Sequence, residues 1–471
     1  MIEYDLAIIG AGPGGYVAAI RGAQKGAKVC LIEAREVGGT CLNRGCIPTK
    51  ALYSTARLLQ KISGASEHGI RVGEPVFDFG TATRRKDEVV GKLVGGVVQL
   101  LKGSGVDVFT GRAFLEGPGR VRIRHQGVIG HLRAKNIILA TGSVPVRPQA
   151  LPVDGKNVLT SDEILAIKEL PKSLLIIGGG YIGCEFAGIF STFGVDVTIV
   201  EQLPILLGRS DRQAVREVEK TFKAAGVKIH VDTAVESIEV SGSEVRVKLS
   251  TGETAVAEKV LISIGRRPNS SDLGIEEAGI QMENGAVVVD ERMRTAVDGV
   301  FAIGDLTGGV QLAHVASYQA QIAVENALGG DALADYRVVP SIIFTTPEIA
   351  QVGLTEEQCR NQGQEFLTGR FAYLASGKAL CDGEPRGMVK ILADKGEGRI
   401  LGATIVGEEA SSLVAEVALA MQKNLTAHEL AEVIHAHPSL PEIIKEAAED
   451  VSGFAVHKVS RPAARRSSSV R

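Results

Sequence analysis

The stretch Leu6-Ala7-Ile8-Ile9-Gly10-Ala11-Gly12-Pro13-Gly14-Gly15 runs a short apolar segment straight into a glycine-rich turn. An unbroken apolar run of this length reads as a buried strand of a parallel sheet, covered on both faces. An Ala-rich helical stretch follows to about Ala23, then a second strand from Lys28 to Ile32 that closes on Glu33. Strand, glycines, helix, strand and terminal acid, in that order, make a dinucleotide-binding β-α-β unit. Gly10, Gly12 and Gly15 divide the work: a tight turn, close approach of backbone to pyrophosphate, and close helix-strand packing. The helix N-terminus offers unpaired N–H groups and partial positive charge to the phosphates. Glu33 stands where a carboxylate accepts hydrogen bonds from the ribose hydroxyls of an adenosine.

The same grammar recurs later. Ser173 to Ile177 reads as a strand, Gly178-Gly179-Gly180-Tyr181-Ile182-Gly183 as the loop, and Cys184 to Phe193 as the helix. Asp196 to Val200 is the next strand, closing on Glu201 at the same distance from its first glycine as in the first unit. Two units imply two dinucleotides and an enzyme passing electrons between them. The alternative is a duplication with one inactive copy, yet both copies keep all three glycines and the acid. Glu201 favours NAD over NADP, because a carboxylate repels a 2′-phosphate and no Arg follows before Arg209. Ile137-Ile138-Leu139-Ala140-Thr141-Gly142 and Val300-Phe301-Ala302-Ile303-Gly304-Asp305 are further strands ending in a glycine or an acid. Strand ends are where an open α/β sheet binds its ligands.

Composition narrows the classes. The 471 residues are 45% hydrophobic and 23% charged, enough for several cored domains. A net charge of -3 gives no electrostatic reason to expect nucleic acid. Strand pattern begins at Tyr4, so no signal or transit peptide is expected. No apolar run approaches the roughly 20 residues that span a bilayer, so no membrane association is expected. Six cysteines are too few for a disulfide framework, and a cytoplasmic setting is expected. The basic tail over 459–471 is expected to be disordered.

A second motif carries chemistry. Cys41 and Cys46 lie in Gly38-Gly39-Thr40-Cys41-Leu42-Asn43-Arg44-Gly45-Cys46-Ile47-Pro48-Thr49-Lys50, just past the first nucleotide unit. A dithiol beside a dinucleotide suggests electrons moving between sulfur and a redox cofactor. Two other readings stand: small buried apolar thiols, or a zinc site for which no second Cys or Cys/His pair is at hand.

Together these segments resemble the pyridine nucleotide-disulfide oxidoreductases, from Tyr4 to about Phe454. The resemblance implies tightly bound FAD, one per subunit, at the first fingerprint and NAD at the second. Around FAD it places Gly10, Gly12, Gly15, Glu33, Gly39, Thr40, Lys50, Thr141, Gly142, Asp305 and Ala313. Around NAD it places Gly178, Gly180, Tyr181, Gly183, Glu185, Glu201 and Gly265. No metal is implied. Cys41 becomes the interchange thiol of a redox disulfide and Cys46 the sulfur against the flavin. His437 becomes the base and Glu442 the acid that orients it, within His435-Ala436-His437-Pro438-Ser439-Leu440-Pro441-Glu442. Ser439 and Pro441 depart from the family pattern there without replacing a catalytic residue. Lys50 and Glu185 are expected to pair near the flavin, with Tyr181 covering the ring until nicotinamide enters. The residues between and after the cysteines look like the lipoamide-acting form; glutathione and mercuric reductases more often carry Val after the first Cys and before the Pro.

The implied fold class is α/β, with two Rossmann-like dinucleotide-binding domains and a C-terminal α+β dimerisation domain. Expected bounds are 1–148 for FAD, 149–274 for NAD, 275–345 for a central segment completing the FAD site, and 346–458 for the interface domain. Within the last, strands over Gly387–Leu392 and Gly402–Val406, a helix over Ser411–Lys423, and a final helix with Pro441 in its first turn are expected. The implied activity is oxidation of protein-bound dihydrolipoamide to lipoamide with reduction of NAD, serving 2-oxoacid dehydrogenase or glycine cleavage complexes. A homodimer follows, His437 of one chain serving Cys41 of the other, with lipoyl domains of an E2 or the glycine cleavage H protein as partners. The alternatives are a glutathione- or mercuric-reductase-like enzyme and a non-catalytic assembly subunit. No cysteine follows Cys381, so the C-terminal pair of mercuric reductases is lacking.

Overall fold

β1 (Glu3–Ile9) is the buried centre of a mostly parallel sheet, with Leu6, Ala7 and Ile8 wholly covered. It pairs in parallel with β2 (Val29–Glu33), Leu6 opposite Val29, and with β6 (Val128–Leu139), Ile9 opposite Leu139. β3 (Asp107–Thr110) extends the sheet beyond β2, and the strand Val300–Ala302 pairs in parallel with β6. β4 (Arg112–Leu115) and β5 (Arg120–His125) complete it as an antiparallel meander with β6. Burial of each large aliphatic side chain such as Ile8, Leu31 or Ile138 stabilises the sheet by roughly 1.5–3 kcal/mol. The structure, a computed structural model, describes residues 3–459; most of the basic tail lies outside the described residues.

α1 (Pro13–Gln24) joins β1 to β2 and buries Gly14, Gly15, Ala18, Ala19 and Gly22. These small residues recur at helical spacing, so the helix settles close to the strands. A Cβ on Gly22 would lie 2.7 Å from Leu6 Cδ1. After β2 come α2 (Gly39–Arg44), α3 (Cys46–Ser63) and α4 (Phe79–Gly103). Asp78 starts α4 by accepting a hydrogen bond from Thr81 N at 3.1 Å.

The chain forms two compact bodies, one of Met1–Ile62, Glu74–Gly178 and Thr233–Asp335, the other of Ser63–Gly73, Gly179–Asp232 and Tyr336–Arg471. The first body also holds Ser173–Ile177, Lys259–Ile262 and Val158–Leu159, paired in parallel. In the second body the helix Tyr181–Thr192 precedes the strand Asp196–Val200, which pairs in parallel with Lys228–His230. That helix begins three residues before the expected Cys184, because Gly180 is already its N-cap in extended conformation (φ -73°, ψ -176°).

The rest of the second body is a five-stranded antiparallel sheet in the order Ser341–Ile343, Glu348–Gly353, Ile400–Gly407, Met388–Asp394, Phe366–Ala372. Helices Ala410–Gln422 and Glu442–Val451 pack on it. Pro441 is the N-cap of the last helix, and Glu442 is its first residue. A Cβ on Gly369 would fall 1.9 Å from Ala447 O, so glycine there lets the last helix rest directly on the sheet backbone. Lys390 is buried in the strand Met388–Asp394, its ammonium 2.7 Å from Asp211 and 3.3 Å from Glu356. Asp211 in turn caps the helix Arg212–Ala224 through Gln213 N.

Candidate active site

The first glycine loop separates the needs of the fold from those of a ligand. Gly10 has φ 101°, and a Cβ there would lie 2.4 Å from Ala140 O. A Cβ on Gly15 would lie 1.7 Å from Gly10 O. The fold alone demands glycine at both positions. Gly12 is different: its φ is -69°, and a Cβ would meet nothing nearer than Gly39 Cα at 4.0 Å. Glycine at 12 therefore keeps open the space in front of α1, whose N-terminus no side chain caps. That is the cradle a pyrophosphate needs. Glu33 is fixed at the strand end, Oε2 accepting from Ala11 N at 2.7 Å and Oε1 from Arg35 N at 2.8 Å.

The cysteine segment is docked on this loop by backbone contact. Gly38 N donates to Ala11 O at 2.8 Å, and a Cβ on Gly39 would lie 2.6 Å from Gly12 Cα. α2 ends at Arg44, Gly45 breaks the helix, and α3 begins at Cys46, so the two cysteines flank the break. Asn43 Nδ2 donates to Val37 O and Gly39 O, and Thr49 Oγ1 donates to Gly45 O at 2.7 Å, fixing the break on both sides. Cys41 is half-buried and Cys46 exposed. Their hydrogen bond drives the Cys41 thiol far above its ordinary range; burial and the charge of Cys46 add to this, and the Lys50 ammonium opposes it.

Asp305 follows the strand Val300–Ala302 and accepts from Ser143 Oγ at 2.5 Å. Arg266 donates to Ser143 Oγ and Ser143 O, both at 2.8 Å, and reaches Thr40 Oγ1 at 3.5 Å. One chain of polar contacts thus joins Asp305 to the residue before Cys41. Sequence reading missed Ser143 and Arg266 as its links, and no spacing signal marks them, because the partners lie 123 and 162 positions apart. Thr141 Oγ1 donates to Asn269 O at 2.8 Å, while Gly142 (φ 68°) faces open space. Ala313 opens the helix Ala313–Ala327, another N-terminus without a side-chain cap.

The second glycine segment shows the same features, taken body by body. Gly178 has φ 104°, and a Cβ would lie 2.6 Å from Ser263 O. Gly180 and Gly265 have open space where a Cβ would be. Glu201 Oε2 accepts from Gly179 N at 2.6 Å and Oε1 from Leu203 N at 2.7 Å, matching the contacts of Glu33. The helix Tyr181–Thr192 is likewise uncapped; Gly183 is buried in it and Tyr181 is exposed. Glu185 is buried and accepts from Phe344 N at 3.0 Å. The first loop, within the first body, fits a dinucleotide, and in the second body Gly180, Glu201 and the uncapped helix Tyr181–Thr192 offer the same parts for another.

In the second body His437 Nδ1 lies 2.8 Å from Glu442 Oε1, and Ser439 N donates to Glu442 Oε2 at 2.8 Å. The His437-Pro438 peptide is cis. Burial pushes the Glu442 carboxyl up, but the Ser439 N–H and the His437 hydrogen bond and charge outweigh it and hold the group below the usual carboxylate range. The His437 side chain is 79% exposed, which leaves Nε2 accessible. His435 is buried instead, its Nε2 2.7 Å from Glu416. Of the two histidines only His437 presents its ring.

Residues 4–320 match the sequence profile described as pyridine nucleotide-disulphide oxidoreductase, and residues 339–448 match that family's dimerisation domain. The chain belongs to this family. As a pyridine nucleotide-disulphide oxidoreductase it has the α/β fold class expected from the sequence. It is 41% identical to a dihydrolipoyl dehydrogenase of Bacillus subtilis (strain 168) over 97% of this chain and 98% of that one. It is 40% identical to a dihydrolipoyl dehydrogenase of Thermus scotoductus over 98% of this chain and 100% of that one. Among solved structures, LpdA from Mycobacterium tuberculosis superposes with a TM-score of 0.90 at 29% identity, over 96% of this chain and all of that one. The HOCl-induced flavoprotein disulfide reductase RclA from Escherichia coli gives 0.86 at 32% identity, over 95% and 99%. Among the described residues no helix is long and apolar enough to cross a membrane.

Proposed function

We propose that this chain oxidises protein-bound dihydrolipoamide to lipoamide and reduces NAD, the activity of a dihydrolipoyl dehydrogenase. The observation that carries this reading is the hydrogen-bonded Cys41–Cys46 pair docked by backbone contact on the first glycine loop. Near-full-length relatives named dihydrolipoyl dehydrogenase support the choice of substrate. Residues 1–148 with 275–345 hold FAD, 149–274 hold NAD, and 346–458 form the interface between two subunits. Gly12, Glu33 and Asp305 serve FAD, as Gly180 and Glu201 serve NAD. When bound, FAD supplies the two-electron acceptor that returns the cysteines to a disulfide and the donor that reduces NAD.

The chain's own residues do the thiol chemistry. His437 Nε2 takes the proton of a dihydrolipoamide thiol, and Glu442 holds the imidazolium through Nδ1. The substrate thiolate attacks Cys41 Sγ of the disulfide; a substrate–Cys41 bond forms, the Cys41–Cys46 bond breaks, and Cys46 leaves as thiolate. The second substrate sulfur, deprotonated, displaces Cys41 and closes the lipoamide ring, leaving both cysteines reduced. Lys50 would help hold FAD, and Tyr181 and Glu185 would help hold NAD. His437 acts on Cys41 of the partner subunit, a reading the dimerisation domain supports. Lipoyl domains of an E2 or the glycine cleavage H protein bring the substrate. The buried free thiols Cys30, Cys184 and Cys359 support a reducing, cytoplasmic setting.

The purified holoenzyme should form NADH from dihydrolipoamide and leave NADPH unoxidised by glutathione disulfide. The opposite preference would move the chain to another disulfide reductase activity.

A further inference from the structure

The outer face of the β4-β5-β6 meander is a strip of arginine on a chain whose net charge is -3. Val121, Leu132 and Ala134 point into the core, while Arg112, Arg120, Arg124 and Arg133 stand exposed between them. Cross-strand register sets like charges against each other: Arg124 lies opposite Arg112, and Arg120 opposite Arg133. Like charges directly opposite in an antiparallel pair destabilise it. The acids near this face are taken up by its other cations, not by Arg112, Arg120 or Arg124. Glu116 pairs with Arg122 at 3.3 Å and His131 at 3.0 Å, Asp5 pairs with Lys135 at 2.8 Å, and Glu3 is the register partner of Arg133 on β1. Among the described residues no salt bridge joins Arg112, Arg120 or Arg124 to an acid.

We infer that this face docks an acidic polypeptide segment. Guanidinium forks take carboxylates bidentately, and an exposed carboxylate set between Arg112 and Arg124 relieves their repulsion. Outward arginines along β5 recur every second residue, about 6.8 Å apart, the spacing of alternate side chains in an extended peptide; Arg120 and Arg124 are open, and Arg122 between them is held by Glu116. Apolar contacts lie within the strip: Arg122 covers the Phe114 ring at 4.5 Å, and Ile129, 53% exposed, is opposite Arg124. These suit a peptide better than a nucleic acid. A long polyanion would feel the chain's net negative charge beyond the strip, and Phe114, covered by Arg122, offers no free face for base stacking.

Fluorescence anisotropy of a labelled oligoglutamate against the holoenzyme at low salt tests this, with oligoserine as neutral control and an oligothymidylate of equal charge as competitor. Binding should be salt-sensitive and weaken roughly tenfold in the triple variant Arg112→Gln, Arg120→Gln, Arg124→Gln. Arg124→Glu, which turns the repulsive pair with Arg112 into an attractive one and so protects the fold, should weaken it in the same direction. Dihydrolipoamide turnover and melting temperature of the variants serve as folding controls. No oligoglutamate binding, equal binding by the variants, or tighter binding of the oligothymidylate overturns the inference.

Discussion

Gly12 and Gly15 belong to one motif but answer to different constraints, and substitution separates them. Gly15→Ala forces a Cβ to 1.7 Å from Gly10 O and should yield little folded protein. Gly12→Ala meets open space at an ordinary φ, so the protein should fold with a near-native circular dichroism spectrum yet lose most of its flavin. A Gly12→Ala protein that stays fully yellow would refute the assigned role. Glu442→Gln should lower dihydrolipoamide oxidation by about a hundredfold, since the imidazolium loses its anion, with flavin content unchanged. The Glu442 carboxyl is held below its ordinary value of 4.5, so its stabilising contribution is complete above that pH and fades as pH falls through the lower folded value. Melting temperatures of wild type and Glu442→Gln should therefore differ at neutral pH and converge in acid. At this scale the contacts of Cys41 with Cys46 and of His437 with Glu442 were expected from the resemblance, because each pair lies within one short segment. Ser143 and Arg266 were not: only folding brings them to Asp305, and neither residue type is informative alone.

Among the elements, the strands and helices read from the sequence are present, and their differences lie at the ends. The helix after the second loop starts at Tyr181 because a glycine N-cap needs no polar side chain, so no capping residue marks it. Pro441 sits outside the last helix by one position, which puts Glu442 at its head and within reach of Ser439 N. What sets that helix on its sheet is Gly369, a residue with no sequence signature. Gly369→Ala should destabilise the protein by about 1–3 kcal/mol through overpacking against Ala447 O. It should also depress turnover more than NAD binding, because it shifts the helix that carries Glu442. An unchanged thermal midpoint would contradict the close packing described.

Lys390 ties the dimerisation domain's sheet to Asp211 at the head of the helix Arg212–Ala224, and both partners are buried. Lys390→Met leaves Asp211 charged and unpaired and should cost about 3–5 kcal/mol in denaturant unfolding. Assembly has its own test: Cys46→Ser and His437→Gln should each be inactive, yet co-expression should restore about one quarter of wild-type turnover, because half of randomly assorted dimers carry one intact pairing. The central claim, that electrons pass from substrate through this cysteine pair to a bound flavin, is tested most directly by the visible spectrum during anaerobic titration with dihydrolipoamide in the absence of NAD. The wild-type protein should gain long-wavelength absorbance as the titrant is consumed, and Cys46→Ser should show no change. A colourless protein, or an identical response from Cys46→Ser, would contradict the account.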